Sequence, residues 1–306
     1  MKNALKIADE LRSVVRGKLL EDEPMSRYTT MKVGGPAEVM LIPADEADLM
    51  AAIGIAEKAQ WPHRVIGVGS NLIVRDGGIE GLTILIRGTM DKIVVDDENI
   101  RAGAGATLPK LANTAARNGL AGIEWAASVP GTLGGAVAGN AGAFGGEMAD
   151  VVEEAAIRAP GGKVETYDKE KINFSYRNTN LPSGSVVLSA VLRLKKGVKE
   201  EIEARMSELM DKRKVSQPLR EASAGSIFRN PSGDSAGRLI DSLGFKGKRC
   251  GRAAISEKHA NFIVNSGNAS AADVIGLIEE ISEAVRDRYG IELEVEVRII
   301  GREKTA

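Results

Sequence analysis

Seven glycines stand among the seventeen residues from Pro130 to Gly146, PGTLGGAVAGNAGAFGG, where almost no side chain is large enough to build a core. Backbone this bare is backbone that something approaches closely. Glycine permits positive φ, and consecutive N–H groups on one concave side bind phosphate oxygens without any lysine. A second turn of the same kind, Gly67-Val68-Gly69-Ser70-Asn71-Leu72, follows a β-like run and adds the hydrogen-bonding side chains of Ser70 and Asn71. Two such loops, more than 60 residues apart, suit a pyrophosphate held between them, as in a dinucleotide cofactor. There is no G-x-x-x-x-G-K-[ST] and no G-x-G-x-x-G opening a helix, so the P-loop and Rossmann readings fail. The alternative for either loop is a tight turn of small packing residues.

Two further patterns could carry chemistry. Lys246, Lys248, Arg249 and Arg252 place four cations within seven residues without an acid, which suits two phosphates or, equally, a solvated basic loop. Gly233-Asp234-Ser235-Ala236-Gly237 satisfies G-x-S-x-G with His259 downstream. A nucleophile elbow needs a strand running straight into its turn, whereas Asn230-Pro231-Ser232-Gly233 interposes a separate one. The segment reads as a helix entry, and His259, in a β-like run, as a structural histidine.

The elements that must position these residues come from 306 residues, a length that favours two domains. With 43% hydrophobic and 27% charged residues the composition is that of a folded globular protein. The 41 cations and 42 acids leave a charge of -1, so no general attraction to nucleic acid is expected. No apolar run approaches the 18 or so residues of a membrane span, which argues against membrane insertion and a secretory leader. Cys250 is the only cysteine, and the only histidines are His63 and His259. A reducing cytoplasm and the absence of an ordinary zinc site follow as expectations.

Leu5, Ala8, Leu11, Val15 and Leu19 recur at helical spacing and predict an opening helix ending before Pro24. Short strands are predicted at Val39 to Ile42, Arg64 to Val68, Leu82 to Ile86, Ile93 to Val95 and Ile100 to Ala102. Helices follow Asp45 and Thr107, the second closing near Gly119. A second strand group, from Val151 to Leu194, includes a hairpin pairing Ala155–Ile157 with Val164–Tyr167. The charged helix Glu200–Lys214 marks a candidate boundary. Ser270 and Asp273 form a capping box for a long helix that closes at Gly290. From Ile291 to Ile299 the residues then alternate, with Glu292, Glu294, Glu296 and Arg298 on the polar face of a final strand.

The two glycine-rich segments resemble the flavin-binding loops of the UDP-N-acetylenolpyruvoylglucosamine reductase family. FSYRNT at Phe174–Thr179, AGSIFRNP at Ala224–Pro231, SEKHANFIVN at Ser256–Asn265 and EVRIIG at Glu296–Gly301 follow in the family's order, and the resemblance runs from about Tyr28 to Gly301. The short interval between Arg177 and Ser226 resembles the branch without the extra tyrosine loop. Two departures stand out: Ala138-Gly139 where bulkier residues are common, and Arg229 where lysine is common.

The resemblance implies an α+β fold, with an FAD-binding domain of the PCMH/vanillyl-alcohol-oxidase type followed by a smaller α+β substrate domain. Residues 1–30 would be lead-in, 31–196 the FAD domain, 197–290 the substrate domain, and 291–306 a strand returning to the N-terminal part. It also implies non-covalent FAD, NADPH as reductant and a monomer without nucleic-acid or membrane partners. The reaction it implies is reduction of an enolpyruvyl ether to the lactyl ether of UDP-N-acetylmuramate, for peptidoglycan. No side chain carries hydride, so the flavin must. Gly67 to Leu72, Pro130, Gly131, Thr132, Gly134, Gly135, Ala136, Gly139, Asn140, Ala141 and Gly142 would hold the cofactor. Tyr176, Arg229, Asn230, Lys246 and Arg252 would hold the nucleotide sugar.

For catalysis the family pattern selects three residues. Arg177 would stabilise the charge that spreads onto the substrate carboxylate, though a surface salt bridge is the plainer reading of a lone arginine. Ser226 matches the serine proton donor, with a strand-capping hydroxyl as the alternative. Glu296 matches a third position that steadies the enol-like intermediate, but Glu292 and Glu294 share its face, and only motif position singles it out. Another flavoenzyme of the superfamily would lack the 224–231 and 296–301 segments. A UDP-sugar-binding protein that had lost catalysis would lack the serine, arginine or glutamate.

Overall fold

In the computed structural model the described residues are 2–304, with side chains from residue 7 onward, so Leu5 of the opening helix lies outside the described side chains. The opening helix, Lys2–Val14, buries Ile7, Ala8 and Leu11, but it ends before Val15 and Leu19, and Leu19 belongs to the strand Lys18–Pro24. Asp48 explains the early stop. Its carboxylate accepts the N–H groups of Arg16 at 3.1 Å, Gly17 at 2.8 Å and Ala44 at 3.0 Å, and a continuing helix would have turned the first two inward. A methyl group at Gly17 would fall 2.2 Å from Ile42 O, so only glycine fits the turn.

The chain forms two compact units, neither of them one continuous stretch. The first holds residues 1–20, 40–68 and 82–212. Its main sheet is antiparallel throughout, in the order Val164–Asp168, Val152–Arg158, Val186–Arg193, Asn99–Gly103, Ile93–Asp96. The expected hairpin is there, with Ala155 opposite Tyr167 and Ile157 opposite Glu165. His63–Ile66 runs parallel to Leu82–Leu85; it stops two residues short of the expected Val68, where the chain turns into Gly67. Glu46–Lys58 is capped by Asp45, and Leu108–Arg117 by Thr107 with Pro109 in its first turn. Arg158, almost wholly buried, ties the sheet to the first of these helices through a two-pronged pair with Glu57, at 2.9 and 2.7 Å.

The second unit holds residues 21–39, 69–81 and 213–306. Its antiparallel sheet runs Ala222–Ser226, Phe262–Asn265, Ala253–Ile255, Arg249–Cys250. The helix Ala271–Tyr289 buries Val274, Ile278, Ile281 and Val285 in a core with Phe228, Leu239, Ile255 and Ile263. Ser270 and Asp273 form the expected capping box, Gly290 closes the helix at φ +67°, and the Asp76 carboxylate accepts the first two helical N–H groups.

The final strand is shorter than expected, and its alternation holds except at Val295 and Glu296. Only Arg298–Ile300 is regular, pairing in parallel with Leu72–Val74. Upstream, the N–H groups of both Glu296 and Val297 reach Ile227 O, at 2.8 and 3.4 Å. Two residues facing one carbonyl form a local bulge, and on either side of it Leu293 and Val297 stay buried while Glu294 and Arg298 stay exposed. Val295, exposed at 36%, and Glu296, half-buried, are the two exceptions. Among the described residues, no helix is long and apolar enough to cross a membrane.

Candidate functional site

In the first unit the Pro130–Gly146 run becomes a short helix, Leu133–Ala138, followed by a tight hairpin pairing Gly142–Ala143 with Gly146–Glu147. Phe144 and Gly145 turn that hairpin at φ +53° and +85°, the left-handed pair such a turn demands. The run is not one open row of bare N–H groups. Leu133 and Gly134 donate to Ala106 O and Ala104 O, and Ala141 donates to Ala136 O. Part of the glycine content thus serves packing: a methyl at Gly146 would lie 2.3 Å from Trp125 Cδ1. Of the residues expected at the cofactor, Gly69, Thr132, Gly134, Ala136 and Asn140 are buried in the fold. Gly67, Val68, Ser70, Asn71, Leu72, Pro130, Gly131, Gly135, Gly139, Ala141 and Gly142 keep exposed surface.

The two loops meet at one point. A methyl on Gly67 would fall 2.3 Å from Thr132 Oγ1, a hydroxyl that is buried and finds no hydrogen-bond partner among the described residues. A buried hydroxyl without a partner is costly, and it is the kind of group a bound ligand satisfies.

Arg177 stands on a two-residue turn, since Ser175 pairs with Asn178 and Phe174 with Thr179. Its φ is +54°, unusual for a side chain of this size. The guanidinium is half-buried and donates to Asn140 O at 3.3 Å and Gly142 O at 2.8 Å, so it reaches back to the glycine run. Tyr176 is 51% exposed, with its ring centroid 5.0 Å from the guanidinium carbon. Asn140, expected among the cofactor contacts, has no exposed surface, and its side chain is engaged by Ser175 O and Ala149 N.

In the second unit Ser226 ends the strand Ala222–Ser226 beside Phe262 and is half-buried; Gly225, at φ +81°, marks a shift of register just before it. The backbone after it is held by a residue that sequence reasoning missed. Asn261, 3% exposed, accepts from Phe228 N at 2.9 Å and donates to Phe228 O at 2.8 Å, while Asn261 O accepts from Ile227 N. Its only signal in the sequence is its place within SEKHANFIVN. Arg229 bonds to Glu294 twice, through its N–H to Glu294 O and through Nη1 to Oε1 at 2.6 Å. Glu296 is reached from the other glycine loop: Asn71 Nδ2 donates to Glu296 O at 3.1 Å, and Asn71 O accepts from Arg298 N.

Each of the remaining expected contacts has its own partner in the fold or stands exposed. Asn230 is exposed, and its Oδ1 accepts from Ala236 N at the start of the helix Ala236–Ser242. Lys246 pairs with Asp241 at 2.8 Å, Lys248 pairs with Glu280, and Arg252 donates its backbone N–H to Asp273. Ser235 accepts from Arg238 N as a helix cap, the expected helix entry, which leaves no nucleophile elbow. Arg238 and the Ser235 N–H hold the Asp234 carboxyl down at about 2. His259 lies in a turn rather than a strand, accepts from Asn261 N at 3.2 Å and packs on Phe262; burial lowers its pKa and favours the neutral ring.

Comparison with known proteins is consistent along the chain. Residues 217–300 match the family described as "UDP-N-acetylenolpyruvoylglucosamine reductase, C-terminal domain", and residues 37–168 match "FAD binding domain". A UDP-N-acetylenolpyruvoylglucosamine reductase 2 of Symbiobacterium thermophilum is 42% identical over 298 residues, 96% of this chain and 97% of that one. The chain belongs to the UDP-N-acetylenolpyruvoylglucosamine reductase family. A Desulforamulus reducens relative of the same name is 43% identical over 97% of this chain and 98% of its own. The crystal structure of the Thermus caldophilus reductase superposes with a TM-score of 0.79 at 40% identity, covering 93% of this chain and 99% of that one. As a member of this reductase family the chain is an α+β FAD enzyme. The orphaned Thr132 hydroxyl fits a polar group of a bound cofactor.

Proposed function

We propose that this enolpyruvyl reductase family member reduces UDP-N-acetylenolpyruvoylglucosamine to UDP-N-acetylmuramate in peptidoglycan synthesis, with NADPH as reductant, and that Arg177, Ser226 and Glu296 carry the chemistry. The observation that carries the reading is identity above 40% across nearly the whole chain to reductases of that name. Residues 31–196 are assigned to FAD and 197–290 to the nucleotide sugar, with 1–30 as lead-in and 291–306 as the closing segment. The protein is read as a cytoplasmic monomer, in keeping with its single cysteine and its small-molecule substrates.

FAD supplies the hydride chemistry that no side chain has. Gly67 to Leu72 and the exposed backbone of Pro130 to Gly142 would hold it, with Thr132 Oγ1 as a directed polar group. The enolpyruvyl double bond gains a hydride at its methylene carbon and a proton at the adjacent carbon, and negative charge passes through the carboxylate between the two events. A fixed guanidinium lowers that barrier, and Arg177 is held in place by two backbone carbonyls. Ser226 donates the proton. Glu296, half-buried beside the Ile227 backbone, steadies the enol-like intermediate. Tyr176, Arg229, Asn230, Lys246 and Arg252 are assigned to the nucleotide sugar.

The visible spectrum of purified protein, followed anaerobically, tests this. Oxidised-flavin bands that bleach with NADPH and return with the enolpyruvyl nucleotide are the expected result. Bands that bleach and do not return would mean another acceptor, and a colourless protein that cannot be reconstituted with FAD would overturn the assignment.

A further inference from the structure

We infer that Asn140 is the positioning residue that aims the Arg177 guanidinium, and that it makes no contact with the cofactor. Asn140 has no exposed surface. Every kind of polar group it owns is used inside the protein. Its Nδ2 donates to Ser175 O at 2.9 Å and its Oδ1 accepts from Ala149 N at 3.0 Å, a pairing that also fixes which end of the amide is which. Its backbone N–H donates to Val137 O, and its carbonyl accepts from Arg177 Nη1 at 3.3 Å.

Ser175 immediately precedes the Tyr176-Arg177 turn and pairs with Asn178 across it. Asn140 therefore grips the base of the turn with its side chain and the head of the arginine with its carbonyl. Thr179 Oγ1, bonding to Ala138 O at 3.0 Å, pins the other strand of the same hairpin to the same segment. Both residues are left-handed, Asn140 at φ +42° and Arg177 at φ +54°. Residues with side chains persist there when their surroundings over-determine them, and such positions cluster at functional sites. An arginine fixed at both ends cannot swing, and a displacement of about 1 Å at a reacting centre can cost about 100-fold in rate.

This inference rests on the charge-stabilising role given to Arg177. The test uses the FAD-loaded enzyme in single-turnover mixing, with the two half-reactions read separately. Asn140→Asp keeps the shape and tolerates the left-handed backbone, but loses the donor to Ser175 O. Flavin reoxidation by the enolpyruvyl nucleotide is expected to slow about 10- to 100-fold. Flavin reduction by NADPH and the FAD dissociation constant should stay within about twofold of native, the latter read by fluorescence on reconstitution.

The deciding comparison places Asn140→Asp on an Arg177→Ala background, where the effect on reoxidation should vanish. Slowing by the same factor there would overturn the inference, as would a tenfold loss of FAD affinity in the single variant. A normal reoxidation rate in Asn140→Asp while Arg177→Ala is slow would sink the inference alone. A normal rate in Arg177→Ala would instead sink the role of Arg177, and with it what depends on that role. Should Asn140→Asp fail to fold, Asn140→Gly keeps the backbone conformation, removes both side-chain bonds and is held to the same outcomes.

Discussion

Arg177 and Ser226 are placed by opposite means. Arg177 sits on a strained two-residue turn, and its side chain reaches back to the carbonyls of Asn140 and Gly142. Ser226 ends a strand whose continuation is fixed mostly by backbone: Ile227 N to Asn261 O, Arg229 N to Glu294 O, and Glu296 N to Ile227 O. A flexible cation needs its head anchored, because a long side chain has many rotamers to lose. A short hydroxyl goes wherever its backbone puts it. The first region should therefore be sensitive to loss of side-chain donors, and the second to loss of whatever holds its main chain.

Ser226→Ala should give the largest effect, slowing flavin reoxidation by the enolpyruvyl nucleotide by about a thousandfold while reduction by NADPH is preserved. Equal losses in the two half-reactions would reject the proton-donor role. Next, Arg177→Lys should slow reoxidation about 100-fold, because an ammonium cannot span two carbonyls and still face a carboxylate as a planar fork does. Near-native rates in that variant would mean that charge suffices and the anchoring is incidental.

Asn261→Ala probes the second region's backbone clamp. It leaves Phe228 N and Phe228 O unpaired in the core and should cost about 2 kcal/mol of stability in urea unfolding. An unchanged midpoint would show that the ladder to residues 294–297 holds the segment without it. The smallest effect belongs to a control remote from both arguments. Burial pushes the Asp48 carboxyl up, but the N–H groups of Ala44, Arg16 and Gly17, with the Arg16 side chain, outweigh it and leave its pKa below the usual aspartate range. Such a group adds stability above its unfolded pKa of about 3.9 and loses it as pH falls through the lower folded value. Asp48→Asn should thus cost about 1 kcal/mol at neutral pH, and the gap to native should begin to narrow below about pH 4 and close once pH falls below the lower folded value. Neither half-reaction should change; a gap that persists in acid would show the carboxylate to be unimportant.

Legibility followed the range of the forces involved. Caps and turns depend on neighbours within a few residues, so Asp45, Thr107, Ser270 with Asp273, and Gly290 stood out in the sequence and occupy those roles in the fold. The glycine run stood out as well, but not what its glycines do. That Gly146 admits Trp125, and that Gly67 meets Thr132, depends on residues far away in the chain. The opening helix misled for the same reason. Its apolar spacing continued to Leu19, while the Asp48 carboxylate, 31 residues beyond Gly17, took the backbone that the helix needed.

By itself the sequence determined the motifs and their order, the helix boundaries with strong caps, the main hairpin and the family, because these rest on local chemistry or on pattern along the chain. Tertiary structure alone decided that residues 21–39 and 69–81 pack with the C-terminal segment and that Asn71 meets Glu296. It alone paired Glu296 N with Ile227 O and left Glu296 half-buried. It also turned Asn140 inward to the base of the Arg177 turn. Each of these is a hydrogen bond or a packing contact between segments far apart in the chain, and alternation or spacing within one segment carries no information about its distant partner.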